Sequence, residues 1–217
     1  MLPATPLNPD DYVTKGSEKL SFGEIDRALH VVIDIQRLFT ASTDWQVGTI
    51  PAILSPVKKL IEHHPEATCF ARFITPHRPE DAQGVWQGYY RHWSTVTGDH
   101  LAVGMIDVLP ELVHAAPSAP VIDKTGYSVF SSPAFLPLLE KRGISTLILS
   151  GVETDVCVLS TVMQAVDLGL RVIVARDAVT GGSPEGHNAA LEILRLRFDR
   201  QVEIADTSQI IENWATS

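Results

Sequence analysis

Cysteine is nearly absent from this sequence: Cys69 and Cys157 are the only two in 217 residues. A chain with this much apolar material needs no disulfide staple, so both are expected to stay reduced, as in a cytoplasmic protein. Cationic residues are also scarce, with 17 Lys and Arg against 26 Asp and Glu, a net charge of -9. That balance excludes the basic face a nucleic-acid partner requires and disfavours anionic membrane surfaces. No apolar run reaches the roughly 18 residues of a membrane span, and MLPATPLNPDDYVTKG has neither a charged n-region nor an apolar h-region. No G-x-G-x-x-G follows an apolar run, and no Walker lysine follows Gly181-Gly182, so neither nucleotide class is expected. The histidines lack metal-site spacing. His77 and His92 are fifteen residues apart and His63-His64 are adjacent, pointing apart on a helix. Neither a metal nor another cofactor is expected.

What is present is an ordinary globular composition, 45% hydrophobic and 20% charged, suited to one large domain. Residues 1–28, with Pro3, Pro6 and Pro9, read as an extended arm, and residues 29–217 as the domain. Apolar runs at 29–34, 68–74, 120–124, 146–149, 170–175 and 202–205 alternate with helical periodicity at 51–63, 107–116, 133–142, 154–168 and 184–198. Strands alternating with helices predict an α/β fold, a doubly wound three-layer sandwich around a parallel sheet of about six strands.

Such folds bind ligands beyond the carboxyl ends of their strands, and three of those ends carry chemistry. LHVVID ends in Asp34, which could equally be a turn or cap residue, and PVIDK ends in Lys124, by itself a solvated charge. STLILSG passes into a helix for which Thr154 suits the N-cap and which carries an apolar stripe at Val158, Leu159, Val162, Met163 and Val166. Cys157 then falls near N3, where the dipole favours thiolate and free N–H groups can hold an oxyanion. Cys69 reads as a core thiol. Between residues 75 and 106, Trp86, Tyr89, Tyr90 and Trp93 share one helical face. They could wall a substrate pocket or form a subunit interface.

The segments VVIDIQRLF, KTGYSVF and LSGVETDVCVLSTVMQAVDLGLRVIVARDAV, in this order, resemble the isochorismatase-like cysteine hydrolases. That group includes nicotinamidases, N-carbamoylsarcosine amidohydrolases, and biuret and ureidoacrylate hydrolases. The resemblance implies an Asp34, Lys124, Cys157 triad: Asp34 moves the proton, Lys124 stabilises charge, and Cys157 is the nucleophile. It implies a cis peptide at Val152-Glu153, an oxyanion hole from the N–H groups of Glu153 and Cys157, and a homodimer or homotetramer. The implied substrate is a small amide, carbamoyl or ureido compound, with Trp86, Tyr89 and Tyr90 as candidate pocket residues. Two departures stand out. Thr75-Pro76-His77 replaces the Asp-x-His metal motif of nicotinamidases, and Arg37-Leu38 replaces the common Asn-Asp. A cysteine makes the vinyl-ether isochorismatases a poorer match, though such an activity, or an inactive interaction protein, remains an alternative. His187 also fits a family pattern and is read as structural.

Overall fold

A computed structural model describes residues 20–215. Its elements follow the alternation in the sequence. β1 (Ala28–Ile33), the short α1 (Arg37–Thr40), α2 (Ile50–His63), β2 (Thr68–Phe73), α3 (Val85–His92), α4 (Pro110–Ala115) and β3 (Val121–Lys124) form the first half. α5 (Phe135–Arg142), β4 (Thr146–Gly151), α6 (Leu159–Asp167), β5 (Arg171–Val179), α7 (Pro184–Arg197), β6 (Val202–Ala205) and α8 (Thr207–Asn213) form the second.

The six strands make one sheet in the order β3-β2-β1-β4-β5-β6, and every pairing is parallel. The chain winds outward from β1 through β2 to β3, returns through α5, and winds the other way from β4 to β6. β1 and β4 are therefore neighbours at the reversal of strand order, where the loops leaving them diverge and open a crevice. All six residues of β1 and all six of β4 are buried, as a sheet covered on both faces requires. α2 packs on α4 and α8. α6 and α7 pack on the turn that joins β4 to α6.

Four details differ from the sequence expectation. The arm does not extend to residue 28: Ala28 already pairs with Thr146. Residues 23 and 24 are tied to the domain by Arg171, which donates to the carbonyls of Gly23 at 2.9 Å and Glu24 at 2.7 Å. The arm's residues 1–19 lie outside the described residues. β4 continues through Ser150 and Gly151, because Ser150 Oγ finds a buried partner in His30 Nε2 at 2.8 Å. β5 runs on to Val179 by shifting register between Leu149 and Gly151 of its neighbour. A last helix, α8, also follows β6, its start held by Asp177, whose carboxylate accepts from both Thr207 N–H and Thr207 Oγ1 at 2.8 Å.

Candidate active site

Asp34 follows the last residue of β1 and adopts φ 54°, a left-handed conformation that aspartate tolerates better than most residues. Its N–H donates to Ala71 O at 3.0 Å, so β2 holds the bend from one side. Gly151 closes the site from the other side of β1 with φ 109°; a Cβ there would lie 2.0 Å from Ile33 O. Only glycine lets β4 approach β1 this closely. The peptide that follows, Val152-Glu153, is cis.

Lys124 ends β3, the edge strand, yet is only 1% exposed. Its stem passes the end of β2, where the ammonium sits 4.4 Å from the centroid of Phe73, and Nζ reaches Asp34 Oδ2 at 2.8 Å. The same nitrogen lies 3.2 Å from Gly126 O and 3.5 Å from Cys157 Sγ. Asp34 and Lys124 are thus a fully buried ion pair with the sulfur against both.

The turn that carries Cys157 is not the regular helix start expected. Residues 154–158 form a π turn that leads into α6, and Glu153 rather than Thr154 is the N-cap residue. The Glu153 carbonyl accepts from the N–H groups of both Val156 and Val158 at 3.1 Å. Among the described residues, the Glu153 N–H enters no turn or loop hydrogen bond. Thr154 spends its hydroxyl on His187 Nδ1 at 2.8 Å; His187 anchors α7 to this turn.

Electrostatics correct one expectation. Burial pushes the Cys157 thiol well above its ordinary value, and the neighbouring Asp34 charge adds to that, while Lys124 opposes it. Burial raises the Asp34 carboxyl as well, again against Lys124. Desolvation outweighs the helix terminus and the ammonium, which favours the protonated thiol over the thiolate. The two shifts share one cause: with Lys124 charged, the cluster is neutral only when one proton is divided between Asp34 and Cys157. The arrangement can move that proton between oxygen and sulfur without placing net charge in the interior.

Cys157, 6% exposed, opens into a cavity of about 310 Å³ whose wall includes Phe39, Trp45, Phe73, Tyr89, Trp93 and Tyr127. Asp44 and Glu153 also line it. Of the aromatic residues proposed from sequence, Tyr89 faces this space. Trp86 and Tyr90 line a neighbouring cavity with Pro76 and Gly126 instead, because Trp86 packs behind Tyr127 with ring centroids 4.9 Å apart. The sequence reading missed Asp44 and Trp45; the only signal was an acid and a large ring in the polar loop that follows the Asp34 strand. Among the described residues no group of three or more His, Cys, Asp or Glu could hold a metal ion. At the position of the nicotinamidase metal motif stands Thr75-Pro76-His77, with no carboxylate beside the histidine, a donor set that does not fit such a metal.

Comparison with known proteins agrees with this architecture. An isochorismatase family protein, PncA of Bacillus subtilis (strain 168), is 27% identical over 183 residues, covering 84% of this chain and 87% of its own. The maleamate amidohydrolase of Pseudomonas putida is 28% identical over a shorter stretch, 44% of this chain and 45% of its own. A cysteine hydrolase from Pseudomonas syringae pv. phaseolicola superposes with a TM-score of 0.74 over 88% of this chain and 94% of its own, at 22% identity. With the Isochorismatase domain matching residues 28–209, and with a fold shared with that cysteine hydrolase, this chain belongs to the isochorismatase family of hydrolases.

Proposed function

We propose that the protein hydrolyses a linear C–N bond in a small amide, carbamoyl or ureido compound, with Cys157 as nucleophile. The observation that carries this reading is the convergence of three strand ends: Lys124 Nζ within 2.8 Å of Asp34 Oδ2 and 3.5 Å of Cys157 Sγ, at the floor of a cavity. Likeness to a maleamate amidohydrolase adds to it.

In the first half-reaction Asp34 takes the proton from Cys157 as Sγ attacks the substrate carbonyl carbon. Lys124 holds the negative charge wherever it resides, on oxygen or on sulfur. The backbone N–H groups of Glu153 and Cys157 receive the developing oxyanion. Collapse breaks the C–N bond, and Asp34 returns the proton to the departing nitrogen, leaving a thioester on Cys157. Water then adds to the thioester carbonyl with Asp34 again as base, the acid product departs, and Sγ regains its proton. The raised Asp34 carboxyl suits this exchange, since a proton donor and acceptor works best when its affinity lies near that of its partner.

The test is ammonia release from a panel of small amides and ureas. Cys157→Ala and Cys157→Ser are each expected to lose at least about 10³-fold in turnover, with unchanged circular dichroism. Full activity in both variants overturns the mechanism.

A further inference from the structure

The cavity in front of Cys157 is walled by aromatic rings and carboxylates, and among the described residues no positive side chain lines it. From this we propose that its ligand is an organic cation: a small amide or ureido compound carrying an ammonium or quaternary ammonium group at the end away from the scissile bond. That this ligand is a substrate rests on the hydrolase reading above; that it is a cation rests on the cavity alone.

Aromatic faces attract cations through the ring quadrupole, and here the rings are fixed against one another. Trp45 is the hub: its centroid lies 6.0 Å from that of Phe39, 5.8 Å from Phe73 and 6.0 Å from Tyr89. Trp93 and Tyr127 complete the wall. Rings alone would also suit a neutral apolar ligand, but two carboxylates share the cavity with them. Asp44 stands exposed at the rim, where Thr95 Oγ1 donates to its Oδ2. Glu153 is half-buried beside Cys157, with Oε1 accepting from Gly182 N–H at 2.9 Å. A Cβ at Gly182 would lie 2.5 Å from that oxygen, so a side chain there would displace the carboxylate from its present position. Among the described residues, no hydrogen bond occupies the second oxygen of Glu153.

Among the described residues, no Lys, Arg or His lines the cavity. Lys124, beneath it, is neutralised by Asp34 at 2.8 Å. Burial pushes the Glu153 carboxyl up, and the charges of Asp155 and Asp34 push it further. A cation entering the cavity would relieve that repulsion, whereas an anionic substrate would meet two carboxylates and no counter-charge.

The test compares three ligands of similar size: trimethylammonioacetamide, its neutral isostere 3,3-dimethylbutanamide, and the anion succinamate. Binding is read in Cys157→Ala by quenching of Trp45 and Trp93 fluorescence. The cation is expected to bind about tenfold more tightly than its isostere, and succinamate more weakly than either. Adding Glu153→Gln is expected to reduce the ratio to about threefold or less, and Asp44→Asn to reduce it by a smaller factor because that side chain is screened by solvent. Equal affinities, a preference for the anion, or no saturable quenching by the cation overturns the proposal. Ammonia release by the unsubstituted protein separates the two readings. Preferred binding of the cation without hydrolysis of any amide defeats the hydrolase reading and leaves the cation site standing. Hydrolysis with neutral or anionic preference does the reverse.

Discussion

Two buried cysteines in one chain meet opposite fates because of what else is buried with them. Burial pushes Cys69 up to about 12, with only the distant pull of Arg142 against it, and it is wholly enclosed. Cys157 is nearly as buried, but the Asp34 carboxylate and the Lys124 ammonium lie against it, and the mechanism proposed above has the first take its proton and the second hold the charge left behind. Iodoacetamide is therefore expected to modify Cys157 and spare Cys69 in the folded protein. Asp34→Asn is expected to slow amide hydrolysis by about 10²-fold or more through loss of the base; turnover within a few-fold of the unsubstituted protein would show that Asp34 is not the proton carrier. Both cysteines were visible in the sequence, and the strand-to-helix position of Cys157 was legible. The direction of its proton affinity was not, because desolvation depends on what the rest of the chain packs over the sulfur.

At the scale of elements, the site is made by the contact of β1 with β4, and that contact depends on Gly151. The residue sits in a conformation closed to other side chains, and Ile33 O occupies the space of a Cβ. Gly151→Ala is expected to cost about 3 kcal/mol or more, read as a lower urea midpoint. Gly48→Ala, at a position open to solvent with no neighbour within 4 Å, is expected to change stability by less than about 0.5 kcal/mol. Comparable losses in both would show that the close strand approach is not what the glycine serves. Strand and helix positions were largely legible, since burial on both faces leaves unbroken apolar runs and helices leave their own period. The π turn at 154–158 was not, because its irregularity follows from Glu153 O receiving two N–H groups and from the Thr154–His187 bond to α7, neither of which has a local sequence signature. α8 was missed although it carries a local signature, the Asp206–Gln209 capping box in which Gln209 Oε1 accepts from Asp206 N–H at 3.0 Å; its second anchor, Asp177, is thirty positions away in the chain.

Among the described residues, no helix is long and apolar enough to cross a membrane, and the sheet interior holds a group that links the molecule's stability to pH. His30, in the middle of β1 and completely enclosed, has its pKa lowered from 6.5 to about 3 by desolvation. Above pH 6.5 it is neutral folded or unfolded and imposes no penalty. Between pH 6.5 and about 3 the unfolded chain binds a proton that the native state refuses, so native stability falls as pH falls, by as much as about 5 kcal/mol. His30→Gln, which cannot titrate, is expected to flatten this part of the stability profile measured by urea unfolding between pH 7 and 4; an unchanged slope would assign acid lability elsewhere. The other shifted groups remain in the variant, so the comparison isolates His30. Composition and periodicity by themselves determined the parallel α/β architecture, and the order of Asp34, Lys124 and Cys157 along the chain marked three strand ends as special. The packed fold alone brings Lys124 across the end of β2 to Asp34, places Trp45 and Asp44 in the cavity while Trp86 and Tyr90 turn to the space behind it, and raises the proton affinity of the sulfur by desolvation. Local pattern records which face of an element is apolar, but distances between elements and the water they exclude exist only once the sheet has closed and its helices have covered it.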